Sequence, residues 1–229
     1  MNFHVGDDPG SAPRPELPAC PACGDPLYGW LERTVPGGER LLLRRCERCG
    51  LGALDGMTGD GAAAELADSA SEATPGRLEL RLANRRSVQA GLGGHHWAAI
   101  EPATRRLYPT PEAIGLLAPR AGLRVESVRS ARWGRAQTWM WQTILNSFTF
   151  HENFAREAWA GRLRPGSERR RIAFAIDAVV TVLAAPLVAL IALPLELIAS
   201  LVGRGGELIA LATPIERWDP PAPHGAGDG

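Results

Sequence analysis

Cys20-Pro-Ala-Cys23 and Cys46-Glu-Arg-Cys49 are the residues of this chain whose type and spacing point most directly to chemistry. Two Cys-x-x-Cys pairs supply four thiolates, enough for a tetrahedral S4 cage of the kind that holds Zn²⁺. The intervening segment, Gly24 to Arg45, is slightly longer than the usual spacing. Gly24 and Gly50 follow the pairs and can take the positive φ that turns the backbone toward a metal. Leu27-Tyr28-Gly29-Trp30 and Leu41-Leu42-Leu43 read as short strands around a Pro36-Gly37-Gly38 turn. The pattern predicts a zinc ribbon over 19–54, with Cys20, Cys23, Cys46 and Cys49 as ligands. Residues 1–18 show no apolar stretch of the kind that directs export, so the thiols are expected reduced and a disulfide pair is disfavoured. A closed S4 site leaves no open coordination position, so the metal is expected to be structural.

Other titratable clusters carry less. His95 and His96 precede Trp97 without an evident third ligand, and read as surface or capping residues. His151 with Glu152 and Glu157 reads as a solvated helix face. No Ser/His/Asp arrangement and no phosphate-binding P-loop stands in the sequence. The catalytic and cofactor-binding sets are therefore expected to be empty.

The 229 residues have room for one ordinary domain and a small module. Formal net charge is zero, which removes the electrostatic case for nucleic acid as a partner. Every basic residue other than histidine is arginine, a compositional bias and not by itself a phosphate signal.

Residues 1–18 and 214–229 are rich in Gly, Pro and Asp and are expected to be disordered. Residues 55–76 are poor in large hydrophobes and read as a linker, with room for one short Ala-rich helix. Arg77 to Leu82 alternates with period two, a strand with Leu78, Leu80 and Leu82 on one face. Thr110-Pro111 opens a helix that stops at Gly122, and Leu123 to Val128 is a second alternating strand. Trp133 to Trp159 is dense in aromatics, which read as core or as a pocket for a lipid or sugar. Glu207 to Ala212 is a third strand.

In this order the segments resemble zinc-ribbon class I S-adenosylmethionine-dependent methyltransferases. Gly76-Arg77-Leu78-Glu79-Leu80-Arg81-Leu82-Ala83-Asn84 is similar to a G-x-L-x-I-x-x-P-N strand of that family. Trp97 to Pro102, Arg106 to Thr110, Glu112 to Val125 and Gly203 to Ala212 resemble its later segments. The resemblance implies that the three strands are the family's fifth, sixth and seventh, the seventh inserted antiparallel between the other two. The half that would bind S-adenosylmethionine is missing. Gly59-Asp60-Gly61 has no strand before it in this reading, and Gly91-Leu92-Gly93-Gly94 follows a strand that resembles a late one. Arg106 and Ala83 replace a family histidine and proline. No cofactor-binding or catalytic residue carries over, and S-adenosylmethionine is not expected to bind this chain alone. The expected fold class is α/β: a zinc ribbon plus a truncated Rossmann-like methyltransferase domain of about three strands over 77–213. Without a fourth family strand, Arg77–Leu82 would be an open edge, to be covered by the ribbon, a second copy or a protein partner.

Ala178 to Leu195 is uncharged, interrupted by Pro186 and Pro194 and bracketed by Asp177 and Glu196. A single span, half-helices at the membrane interface and a core hairpin all fit its length. Arg169 to Arg171 and the tryptophans favour the headgroup layer, giving a possible membrane surface through 133–202. Strands on both sides of the block favour a helical hairpin over 172–202. The functional expectation is a non-catalytic accessory or docking protein, cytoplasmic and peripheral or re-entrant at the inner membrane face. The alternatives are a methyltransferase completed by another chain, or a membrane protein with a cytosolic ribbon.

Overall fold

The computed structural model describes residues 17–34, 38–161, 163 and 168–215. The disorder expected at 1–18 and 214–229 falls almost wholly outside these, as does most of the Pro36-Gly37-Gly38 turn.

β1 (Leu27–Thr34) and β2 (Arg40–Cys46) form the expected antiparallel hairpin, and β3 (Gly52–Leu54) returns from the second cysteine pair to lie against β2. The segment expected to be a linker is structured. α1 (Gly59–Asp68) is N-capped by Thr58, whose Oγ1 accepts from the Gly61 N–H at 3.1 Å. Small residues hid its packing: Ala62, Ala63 and Leu66 are enough to bury one face. β4 (Ala70–Thr74) follows, mostly exposed and polar, and pairs antiparallel with β5 (Arg77–Ala83). The edge expected to be open at Arg77–Leu82 is thus covered by the chain's own β4. An edge strand with both faces in water lacks the alternation that would have announced it.

α2 (Val88–Gly93) leads through a 3-10 turn to β6 (Leu107–Tyr108), and then to α3 (Pro111–Leu117), begun by Thr110 and Pro111 as expected. β7 (Leu123–Ser130), α4 (Arg135–Asn146), α5 (Phe154–Trp159), α6 (Glu168–Leu201) and β8 (Glu207–Pro214) complete the chain. The first sheet has the order β1-β2-β3-β6 and the second β4-β5-β8-β7, with neighbours antiparallel throughout. The insertion of β8 antiparallel between β5 and β7 is the arrangement that the family resemblance implies; β4 makes it a four-stranded sheet.

One core runs through both sheets. It joins Cys20, Cys46, Cys49 and Leu51 to Leu66 of α1, Ile114 and Leu117 of α3, and Leu80, Leu208 and Ala210 of the second sheet. A second cluster gathers Leu43, Trp97, Tyr108 and Trp139 with Trp30 against it, and a third lies between α4 and α6.

The apolar block is one continuous helix of 34 residues, with Pro186 and Pro194 inside it, and not a hairpin. The chain does turn back on itself, but earlier: α4 is the other arm, packed along α6 through Met140, Leu145, Val188 and Ala192. The Trp141 Nε1–H also donates to the Ala185 carbonyl at 3.0 Å.

Because the core is shared, Leu80→Ala should destabilise both sheets together. A Leu-to-Ala change at a fully buried site costs about 2–5 kcal/mol. Denaturant unfolding followed by tryptophan fluorescence and by thiol accessibility should give coincident midpoints. Separate transitions would show that the cysteine module folds independently.

Candidate metal centre

The two cysteine pairs meet because β1 and β2 set their flanks in register: Leu27 lies opposite Cys46. Backbone bonds close each turn, Gly24 N–H to Cys20 O at 2.9 Å, Cys20 N–H to Asp25 O at 2.7 Å and Cys46 N–H to Leu51 O at 2.8 Å. Gly24 and Gly50 take φ of +82° and +73°. A Cβ on Gly24 would meet nothing within 4 Å, whereas one on Gly50 would lie 2.8 Å from Thr110 Cγ2.

All four sulfurs lie within 4.8 Å of one another. Cys20 Sγ is 3.6 Å from Cys49 Sγ, and Cys23 Sγ is 3.5 Å from Cys46 Sγ. These are too far for disulfides. They are close to the ~3.8 Å edge of a tetrahedron built on metal–sulfur bonds of about 2.3 Å. The surroundings divide the thiols, backbone donors favouring the thiolate and burial opposing it. Backbone N–H groups favour the ionised sulfur at three positions, those of Cys23 and Ala22 at Cys20, that of Asp25 at Cys23 and that of Leu51 at Cys49. The Cys49 thiol, with those backbone donors, brings Cys20 down to about 5, while its bond to Cys20 pushes Cys49 upward. Burial raises Cys23. Arg48, paired with Asp25 at 3.1 Å, adds positive charge at the rim. The four cysteines expected as ligands are thus positioned to bind a metal ion, three of them buried and Cys23 partly so.

The second pair is fastened to the body by one hydroxyl. Thr110 Oγ1 donates to the Cys49 carbonyl at 2.6 Å and accepts from the Ala113 N–H at 3.1 Å, so it caps α3 and holds the cysteine turn at once. Arg120 Nη1 reaches the Pro21 carbonyl at 2.7 Å, holding the first pair.

The remaining clusters are structural in geometry. His95 and His96 lie against each other, ring centroids 3.8 Å apart and planes tilted by 46°, and His96 Nδ1 lies 3.9 Å from Glu152. His151 is not on a solvated face with Glu152 and Glu157. Its Nδ1 lies 2.7 Å from Oδ2 of Asp177, a fully buried carboxylate of α6 that also accepts the Phe150 and His151 backbone N–H groups. Glu152 pairs with Arg33, and Arg156 pairs with Glu101 and Glu157. Sequence reasoning missed this pair because the two residues lie on separate elements. A carboxylate in an uncharged helix was the available signal.

Glu196 is the other buried acid of α6. It accepts from Gln89 Nε2 at 2.9 Å and from the Gly206 N–H at 2.7 Å, while Gln89 Oε1 accepts from Trp97 Nε1 at 3.1 Å. A Cβ on Gly206 would sit 1.6 Å from Gln89, so the glycine run before β8 serves this close approach. Burial, aided by neighbouring Glu207, outweighs the hydrogen bonds and raises the Glu196 carboxyl to about 6. Glu207 is held by Arg135 at 2.8 Å. The glycines at Gly59 and Gly61 do follow a short strand, β3, contrary to the sequence reading. Yet Arg120 and Pro21 crowd Gly59, and Asp60 puts a negative charge where a phosphate would need none. The aromatics from Trp133 to Trp159 divide: Trp139 and Phe154 are buried, whereas Trp133, Phe148, Phe150 and Trp159 are exposed.

Removing the metal should loosen the whole body, because three of the four ligating cysteines are buried in the shared core. Purified protein is expected to carry one equivalent of metal by elemental analysis, and chelation should lower its melting temperature. Acid should release the metal as protons compete for the thiolates. Gly24→Ala should cost about 1–2 kcal/mol for its left-handed backbone. Gly50→Ala should cost more, since Thr110 must also move. Equal losses for the two variants would show that Thr110 does not clamp the second pair.

Glu196 sets a pH dependence of the opposite sense to an ordinary ion-paired acid. A folded-state value raised above the usual 4.5 means that its contribution is complete below about 4.5 and is lost as pH rises through about 6. The loss amounts to about 2 kcal/mol above pH 6. Denaturation midpoints across this window should show the fall in the parent, and Glu196→Gln should flatten it whatever its own mean stability. An unchanged slope would remove Glu196 as the titrating group.

Comparison of the chain with protein-family models, with curated proteins and with solved structures finds no match.

Proposed function

We propose that this chain is a non-catalytic docking protein: a small α/β body stapled by a structural Zn²⁺, which lies on a membrane surface through α6. The observation that carries the reading is the outer face of α6. Ile172, Ile176, Val179, Val182, Leu183, Leu187, Leu190, Ile191, Ile198 and Leu201 are all exposed there. Between Ile172 and Val202 the only charged residues are Asp177 and Glu196, and both are fully buried on the side facing the body. An apolar surface of this size on a water-soluble body is an interaction face. Among the described residues α6 is the one helix long and apolar enough to cross a membrane.

Orientation follows from what α6 touches. Its N-terminal part meets the His151 loop and Phe154, its middle meets α4, and Glu196 and Ser200 meet α2 and Ala131. One side is therefore occupied along the whole length, and lipid could reach only the other. The exposed run covers about 45 Å, well beyond a hydrocarbon core of about 30 Å. A helix lying in the plane of one leaflet satisfies both facts. Zinc is favoured at the cysteines by the all-sulfur donor set and the closed tetrahedral spacing. The reading puts the reduced thiols, and hence the body, on the cytoplasmic side.

A second reading, a methyltransferase remnant completed by another chain, draws support from the β5-β8-β7 order with its antiparallel central strand. Calorimetric titration of the purified chain with S-adenosylmethionine discriminates: no binding is expected, and a Kd below about 100 μM, roughly −5.5 kcal/mol, would overturn the non-catalytic reading.

Leu183 and Leu187 are 69% and 65% exposed, so acidic substitutions there should leave the fold intact. The parent should float with phospholipid vesicles in a density gradient, and Leu183→Glu/Leu187→Glu should remain at the bottom with an unchanged melting temperature. Parent protein that stays at the bottom would end the docking reading.

A further inference from the structure

At its C-terminal end the apolar face of α6 runs into a groove of about 630 Å³, between the end of the helix and the second sheet. Arg129, Ser130, Arg132 and Trp133 line it together with Leu201 and Gly203. Resting on the docking reading above, we propose that this groove binds the phosphate headgroup of an anionic phospholipid while the acyl chains lie against α6.

Charge carries the argument. Among the described residues neither Arg129 nor Arg132 has a carboxylate within ion-pair distance, and both guanidinium side chains are exposed. Arg81 also borders the groove, but it is already engaged by Glu79 at 2.6 Å and faces Glu207 at 3.8 Å. Two free cations on a chain of zero net charge are thus placed where the uncharged helix face ends. A guanidinium offers paired N–H donors to a phosphate and is weakly hydrated enough to do so at an interface.

Apolar chemistry meets that charge. Trp133 is 69% exposed beside Arg132, Leu201 of the groove lining is 60% exposed, and Val202, next to it in the chain, is 66% exposed. An indole at the boundary between aliphatic side chains and guanidinium groups matches the headgroup layer, where tryptophan is enriched. Ser130 Oγ accepts from the Gly205 N–H at 3.2 Å, so its own hydrogen is free to donate toward the groove. A soluble phosphate would use the arginines and leave Leu201, Val202 and Trp133 in water. A lipid uses all of them.

The test is co-sedimentation of the full chain with vesicles of phosphatidylcholine alone, and of phosphatidylcholine mixed with phosphatidylglycerol. The parent should bind both and prefer the anionic vesicles, with the preference falling as salt is raised. Arg129→Gln/Arg132→Gln should bind anionic vesicles about ten- to thirtyfold more weakly, keep its binding to phosphatidylcholine and melt at the parent temperature. Equal parent binding to the two vesicle types, or an anionic preference that survives in the double variant, would overturn the headgroup site and leave docking through α6 intact. Saturable calorimetric binding of glycerol phosphate without vesicles, abolished in the double variant, would overturn the lipid assignment in favour of a soluble phosphate. Failure of the parent to bind either vesicle would remove the docking reading itself.

Discussion

The fold depends on the junction at which the cysteine module meets the α/β body, and a single buried hydroxyl stands at its centre. Thr110 satisfies the Cys49 carbonyl and the first turn of α3 with one oxygen, in a position closed to solvent. Around it, β3 pairs with β6, so a strand from the body completes the sheet of the module. Glu65 of α1 reinforces the junction, one carboxylate oxygen accepting the Arg106 and Leu107 N–H groups at 2.7 and 2.9 Å. The module itself is too small to bury much apolar surface on its own. It gains a core by borrowing α1, α3 and the second sheet. In return its turns are fixed at the point where Cys20, Cys46 and Cys49 enter that core.

The two acids of α6 show a second constraint, the cost of placing a carboxylate where water cannot reach it. Asp177 meets that cost with three donors from the His151 loop, and Glu196 with Gln89, Ser200 and Gly206. Apart from Ser200, which lies on α6 itself, these donors come from outside the helix. The acids therefore pin α6 to the body near its two ends, and the intervening contacts with α4 are apolar. This is also why the outer face is free of charge: the helix spends its only two charged residues between 172 and 202 on attachment.

What could be read from the sequence follows from what announces itself locally. The cysteines, the Thr110-Pro111 cap and the alternation at Leu78, Leu80 and Leu82 each combine residue type with spacing, and each sits where the pattern puts it. The short Ala-rich helix for which the sequence left room is α1; its packing, and the whole of β4, were hidden for opposite reasons. Alanines pack against a neighbour without a hydrophobic signal, and an exposed edge strand needs none. The contact of His151 with Asp177 and that of Gln89 with Glu196 join residues 26 and 107 positions apart. No window of sequence contains them. The hairpin expected over 172–202 rested on the strands on both sides of the block, but the return is made by α4 and α5, and Pro186 and Pro194 fall within one helix packed along α4.

The topology also limits the ways in which α6 could meet lipid. β7 and β8 are adjacent strands of one sheet, and everything between them, α4 to α6, leaves and returns at Ser130 and Glu207. The excursion goes out along α4 and α5 and comes back along α6. A helix that crossed a bilayer would have to carry its inner partners with it, including the Arg33–Glu152 and Arg156–Glu101 pairs that tie the α4–α5 arm to the body. Burying those charges in hydrocarbon would cost far more than the apolar face could return. Immersion of only the outer face, as proposed, would require no such burial, would keep both neighbouring strands on one side and would put Trp133 and Arg132 near the headgroups.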